Sequence, residues 1–177
     1  MSTPDIERRG AAIGVTASGR TLSGYAATFN DPTAFVGYTE RSAPGAFARS
    51  LASGRDVLAL LYHRADVLRG RTRSGSLKLS EDAKGLRFEL SLPETAAGRD
   101  VIALAERGDL GGMSFGFVAT DEAWDGDTRE LRAVELHEVS IVQSWPVYQS
   151  TEVNLRSKPF DMANFIHCNS HWLETCR

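Results

Sequence analysis

Ser114 stands in Gly112-Met113-Ser114-Phe115-Gly116, a G-x-S-x-G sequence, and a serine set between glycines is a candidate nucleophile for acyl transfer. A serine hydroxyl attacks well only when a base takes its proton, and the base needs a third group to fix its tautomer. The four histidines are His63, His137, His167 and His171. The last two lie in a C-terminal stretch without periodicity, which leaves His63 and His137. His63 ends the apolar run "DVLALLYHR", where burial gives way to Arg64 and Asp66. The chain order is then His, Ser and a third member.

A nucleophile elbow of the lipase and esterase kind needs a helix directly after the serine, and its acid and histidine both come later in the chain. Here "MSFGFVATDEAW" alternates, with Met113, Phe115 and Phe117 on one face and Ser114, Gly116 and Val118 on the other. Ser114 is therefore expected on a strand, held by its aromatic neighbours, with Gly112 and Gly116 leaving room for a substrate backbone. At 177 residues the chain is also short for such a hydrolase.

Several other elements must position these residues. "RTLSGYAATFND" reads as a strand stopped by the turn residues Asn30, Asp31 and Pro32. "PGAFARSLASG" reads as a short helix ended by Gly54. Leu77, Leu79, Leu86, Phe88, Leu90 and Leu92 alternate with polar residues around "SEDAKG", the pattern of a β-hairpin with one buried face. Thr95 is placed to cap a helix over "AAGRDVIALAERG", closed by Gly108. The Asp125-Gly126 turn leads into "RELRAVELHEVSIV", another long strand.

Composition narrows the classes. A formal net charge of -3 gives no electrostatic reason to expect nucleic acid, and no apolar run approaches a membrane span. The start "MSTPDIERRG" lacks the apolar stretch of a signal peptide, so a cytosolic protein is expected. The two cysteines, Cys168 and Cys176, supply no disulfide framework. With His167 and His171 they fit no standard zinc spacing, so no metal or other cofactor is expected.

The succession "SGYAATFN", "ERSAPGAF", "DVLALLYHR", "GRTRSGSLKLSEDAKGLRFELSLP", "RDVIALAERGDLGGMSFGF" and "ELHEVSIV" resembles the prohead proteases of Hong-Kong-97-type tailed phages, which also occur in gene-transfer-agent clusters. The likeness runs roughly from Gly24 to Val153. It implies a mainly β fold with helices (α+β): a closed, antiparallel-rich barrel surrounded by a few helices, similar to herpesvirus assemblin. The implied domains are an N-terminal arm over 1–20, the protease over 21–156 and a poorly ordered extension over 157–177. The implied activity is that of a serine endopeptidase that cuts the scaffold segment of the major capsid protein, and itself, inside the assembling prohead in the host cytoplasm. Partners are then the capsid protein and a second copy of the chain, without nucleic acid or membrane. The alternative is a protease-derived scaffold or chaperone without catalytic activity.

Carried onto this sequence, the family's histidine falls on His63 and its serine on Ser114. The acidic residue of "EVS" is Glu138, whereas assemblin-like enzymes use a second histidine and His137 stands beside it. Neighbouring strand residues face opposite ways, so only one of the two is expected to reach His63, and strict alternation does not say which. Glu138 is preferred, because the motif selects it and a carboxylate stabilises an imidazolium. Arg69 in "LRGRT" and the run "SWPVY" depart from the family pattern. Arg69, Arg71 and Arg73, two apart, are either a solvated strand face or a site for an acidic substrate segment.

Overall fold

The computed structural model describes residues 6–11 and 15–143. The order of elements is β1 (Glu7–Ala11), β2 (Thr16–Ser18), β3 (Thr21–Thr28), β4 (Thr33–Phe35), β5 (Tyr38–Ser42), α1 (Ala48–Ala52), β6 (Leu58–Leu61), β7 (Arg64–Arg71), β8 (Leu77–Glu81), β9 (Gly85–Ser91), α2 (Ala96–Glu106), β10 (Gly112–Asp125) and β11 (Thr128–Val142). The leucine alternation forms the expected hairpin, β8 against β9, with Leu77 opposite Leu90 and Leu79 opposite Phe88. Thr95 caps α2 by accepting from the Gly98 N–H at 3.1 Å, and Gly108, at φ +74°, takes the left-handed position that ends it.

The strands form two sheets. The larger runs β1-β10-β11-β5-β4, with β6 also on β11 and β7 on β6. β11 thus has β10 antiparallel along one edge, and β5 then β6 parallel along the other. The smaller sheet is β2-β3-β9-β8, antiparallel throughout. Its Leu22, Leu86, Phe88 and Leu90 share one core with Met113, Phe115, Phe117, Val139 and Ile141 of the larger sheet. Phe47, just before α1, bridges the two, its ring edge-on to Phe115 at 5.4 Å.

The expected closed barrel is not formed. Among the described residues β7 pairs only with β6, and β8 only with β9. At the corner between them the Arg71 N–H goes to Ser76 Oγ and the Thr72 N–H to the Val57 carbonyl, so no ladder joins the sheets there. Leu90 of the small sheet instead lies over Gly70 of β7, where a Cβ would stand 2.6 Å from Leu90 Cδ1. Alternation shows that each strand buries one face. It does not distinguish neighbours around a ring from partners across a sandwich.

The first twenty residues contribute a strand to each sheet, β1 beside β10 and β2 beside β3. β1 carries no apolar alternation because its inward side chains are Glu7 and Arg9. They enter a charged cluster in which Arg9 pairs with Glu40 at 2.6 Å and Arg129 with Glu7 at 2.5 Å and Glu40 at 2.8 Å. Arg129 also holds Glu122 and is only 2% exposed. Burial pulls the Arg129 guanidinium down, but hydrogen bonds and charges from Glu7, Glu122 and Glu40 outweigh it and raise it above its ordinary value. The C-terminal extension and its histidines and cysteines lie outside the described residues.

Candidate active site

β10 and β11 run antiparallel with Ser114 opposite Ser140, Phe115 opposite Val139 and Gly116 opposite Glu138. Met113, Phe115, Val139 and Ile141 fill the core. Ser114, Gly116, Glu138 and Ser140 therefore share the other face, as period-two alternation on β10 predicts. Between Gly116 and Phe117 the register shifts, because Phe117 pairs with Leu136. His137 is the extra residue of this β-bulge. Leu136 and Val139 both reach the core, so His137 and Glu138 both lie off it. The expectation that these two neighbours face opposite ways is corrected by this bulge.

Contacts separate them instead. Glu138 Oε1 lies 2.6 Å from His63 Nδ1 and 3.2 Å from Arg8 Nε of β1. His137 Nε2 lies 2.9 Å from Glu135 Oε1, yet the angle is too poor to count as a hydrogen bond. Burial pushes the Glu138 carboxyl up. The hydrogen bond and charge of His63, and then those of Arg8, outweigh this and leave it below its ordinary value. Glu138 is thus a carboxylate at neutral pH.

His63 is not the last residue of a strand but the second of a two-residue turn. Leu61 of β6 pairs with Arg64 of β7, and Tyr62 and His63 between them have φ of +56° and +58°. Hairpin turns of this kind favour Asn and Gly, and bulkier residues held there cost on the order of 1–3 kcal/mol each. The Tyr62 N–H is tied to the Ile141 carbonyl at 3.0 Å, which fixes the turn against β11. With an Nδ1–H donated to Glu138, Nε2 carries the free lone pair that a base requires.

Ser114 is 4% exposed, and its Oγ donates to the Arg9 carbonyl at 2.7 Å. Its proton is directed at β1 in this conformation and not at His63. Gly116 has a different use from the one its spacing suggests. A Cβ there would lie 2.6 Å from Glu138 Cγ, so the glycine opens space for Glu138 to cross β10.

A family model described as caudovirus prohead serine protease matches residues 6–165 of the 177. The chain belongs to this family. It is a serine peptidase of the capsid-maturation type. No curated protein and no solved structure matches the chain.

Other features of this prohead protease lie apart from the pair. A groove of about 160 Å³ between Arg20, Leu92, Pro93 and Ile102 includes none of His63, Ser114, His137 and Glu138. The arginine row is largely engaged: Arg71 Nε donates to Asp56 at 2.8 Å and Arg73 lies 3.6 Å from the same carboxylate. Among the described residues no cluster of His, Cys, Asp or Glu can hold a metal, and no helix is long and apolar enough to cross a membrane. The roles of Arg8 and of the Arg9 carbonyl are not legible in the sequence, since β1 has no apolar periodicity.

Proposed function

We propose that Ser114, His63 and Glu138 are nucleophile, base and orienting carboxylate of an endopeptidase that cuts the scaffold segment of the major capsid protein, and its own chain, inside the prohead. The observation that carries this reading is the 2.6 Å contact from His63 Nδ1 to Glu138 Oε1 beside the strand face that holds Ser114. A scaffold without chemistry has no use for a strained histidine turn aimed at a buried carboxylate.

In the reaction Ser114 Oγ leaves the Arg9 carbonyl, gives its proton to His63 Nε2 and attacks the scissile carbonyl carbon. Glu138 stabilises the imidazolium so formed. The ring then protonates the leaving amine, and water, deprotonated by the same nitrogen, releases the acyl group. The test is co-expression with the capsid protein encoded beside the chain, in wild-type and Ser114→Ala forms. A shortened capsid N-terminus with the first and a full-length one with the second supports the reading. Equal processing by a folded Ser114→Ala protein ends it.

A further inference from the structure

The Ser140 hydroxyl is fully buried and has no hydrogen-bond partner among the described residues. Folded proteins leave few such groups, because a hydroxyl taken out of water without a partner is unfavourable. This one stands directly across the β10–β11 ladder from Ser114, on the face that also carries Glu138. Directly opposed residues in an antiparallel pair have Cβ atoms about 4.5–5.5 Å apart, near enough for two serine hydroxyls to meet. In the present conformation they do not meet: Ser114 Oγ is turned to the Arg9 carbonyl, and Ser140 Oγ does not reach it.

We propose that Ser140 is a positioning residue for the nucleophile: its hydroxyl donates to Ser114 Oγ when that side chain turns from the Arg9 carbonyl toward His63, and holds it there. The inference rests on the reading of Ser114 as nucleophile. Proton roles fit without conflict. Ser114 gives its one proton to His63 and keeps lone pairs to accept from Ser140, which retains its own. The hydrogen bond strengthens as negative charge grows on Ser114 Oγ during proton transfer. The unpaired hydroxyl of the resting site is then a donor whose acceptor arrives only in the active rotamer.

Ser140→Ala tests this cleanly, because it removes one small polar group that has no partner among the described residues at rest. The expected result is an unchanged or slightly raised Tm together with about a tenfold lower kcat for capsid-peptide cleavage, an unchanged KM, and a matching fall in the rate of Ser114 labelling by a fluorophosphonate. A buried serine kept only for its size predicts the same Tm and wild-type rates. Wild-type rates, a loss confined to KM, or a loss that tracks a lowered Tm would each overturn the proposal. Ser114→Ala run alongside separates the two claims. If that variant is inactive while Ser140→Ala is normal, only the positioning role fails; if Ser114→Ala still cleaves, the assigned nucleophile fails first.

Discussion

Glu138 fills the space in which a side chain at Gly116 would stand: a Cβ there would lie 2.6 Å from Glu138 Cγ and 2.9 Å from its Oε1. The two residues face each other across the β10–β11 ladder. The second glycine of the G-x-S-x-G sequence thereby makes room for a carboxylate that lies 22 residues further on. Its match to a lipase-type elbow is a matter of spelling, since Ser114 and Gly116 lie on one continuous strand.

Gly116→Ala should therefore leave the protein folded but strongly impaired. The added methyl must push Glu138 off its 2.6 Å contact with His63, and a displacement of about 1 Å in a catalytic group can cost about 10²-fold in rate. Overpacking should lower stability by only about 1–3 kcal/mol. Peptide cleavage at the wild-type rate by this variant would show that Glu138 has another seat.

How much of this was legible in the sequence differs from element to element. The β8–β9 hairpin and the strand bearing Ser114 were, because leucines and phenylalanines alternate there with a period of two. β1 was not, because its buried side chains are Glu7 and Arg9, whose partners Glu40 and Arg129 are far along the chain. The placement of His137 and Glu138 was not, because a one-residue bulge breaks the alternation between Leu136 and Val139. Closure of the sheet was misjudged for a related reason: a buried face on each strand is common to a barrel and to two stacked sheets.

The charged cluster under β1 predicts a large stability effect from one residue. Arg129→Met removes the shared partner of Glu7, Glu40 and Glu122 and leaves the two buried carboxylates, Glu7 and Glu40, with Arg9 as their one remaining cation. Breaking a buried pair from one side typically costs about 3–5 kcal/mol. Denaturant unfolding should show a loss of that size, and amide exchange should show β1 losing protection first. A loss under about 1 kcal/mol would mean that water reaches the cluster and screens it.

Acid should reach the Arg71–Asp56 bridge late. Hydrogen bonding to Arg71, opposed by desolvation and aided by the Arg73 N–H and both guanidinium charges, lowers the Asp56 carboxyl to about 2, from an ordinary value of about 4. A carboxyl lowered by folding contributes stability that is fully present above its unfolded value and is lost as pH falls through the folded one. Asp56→Asn should thus be less stable than wild type at pH 7, and the two should converge as pH falls from about 4 to about 2. A difference that persisted unchanged at pH 2 would assign the effect of Asp56 to something other than its charge.

The third member of the proposed triad is tested by two neighbouring substitutions. Glu138→Gln keeps the size of the side chain but replaces the charge that stabilises the imidazolium, and its amide can hold the ring in the wrong tautomer. By analogy with other serine-protease triads the loss in kcat is up to about 10⁴. His137→Gln should be mild, because His137 meets Glu135 and not His63. The pair is informative because the two residues sit side by side at the bulge, so damage to the strand would affect both variants alike. Only a chemical role separates them. If His137→Gln is inactive and Glu138→Gln cleaves at nearly the wild-type rate, the assignment reverses and the site works with two histidines.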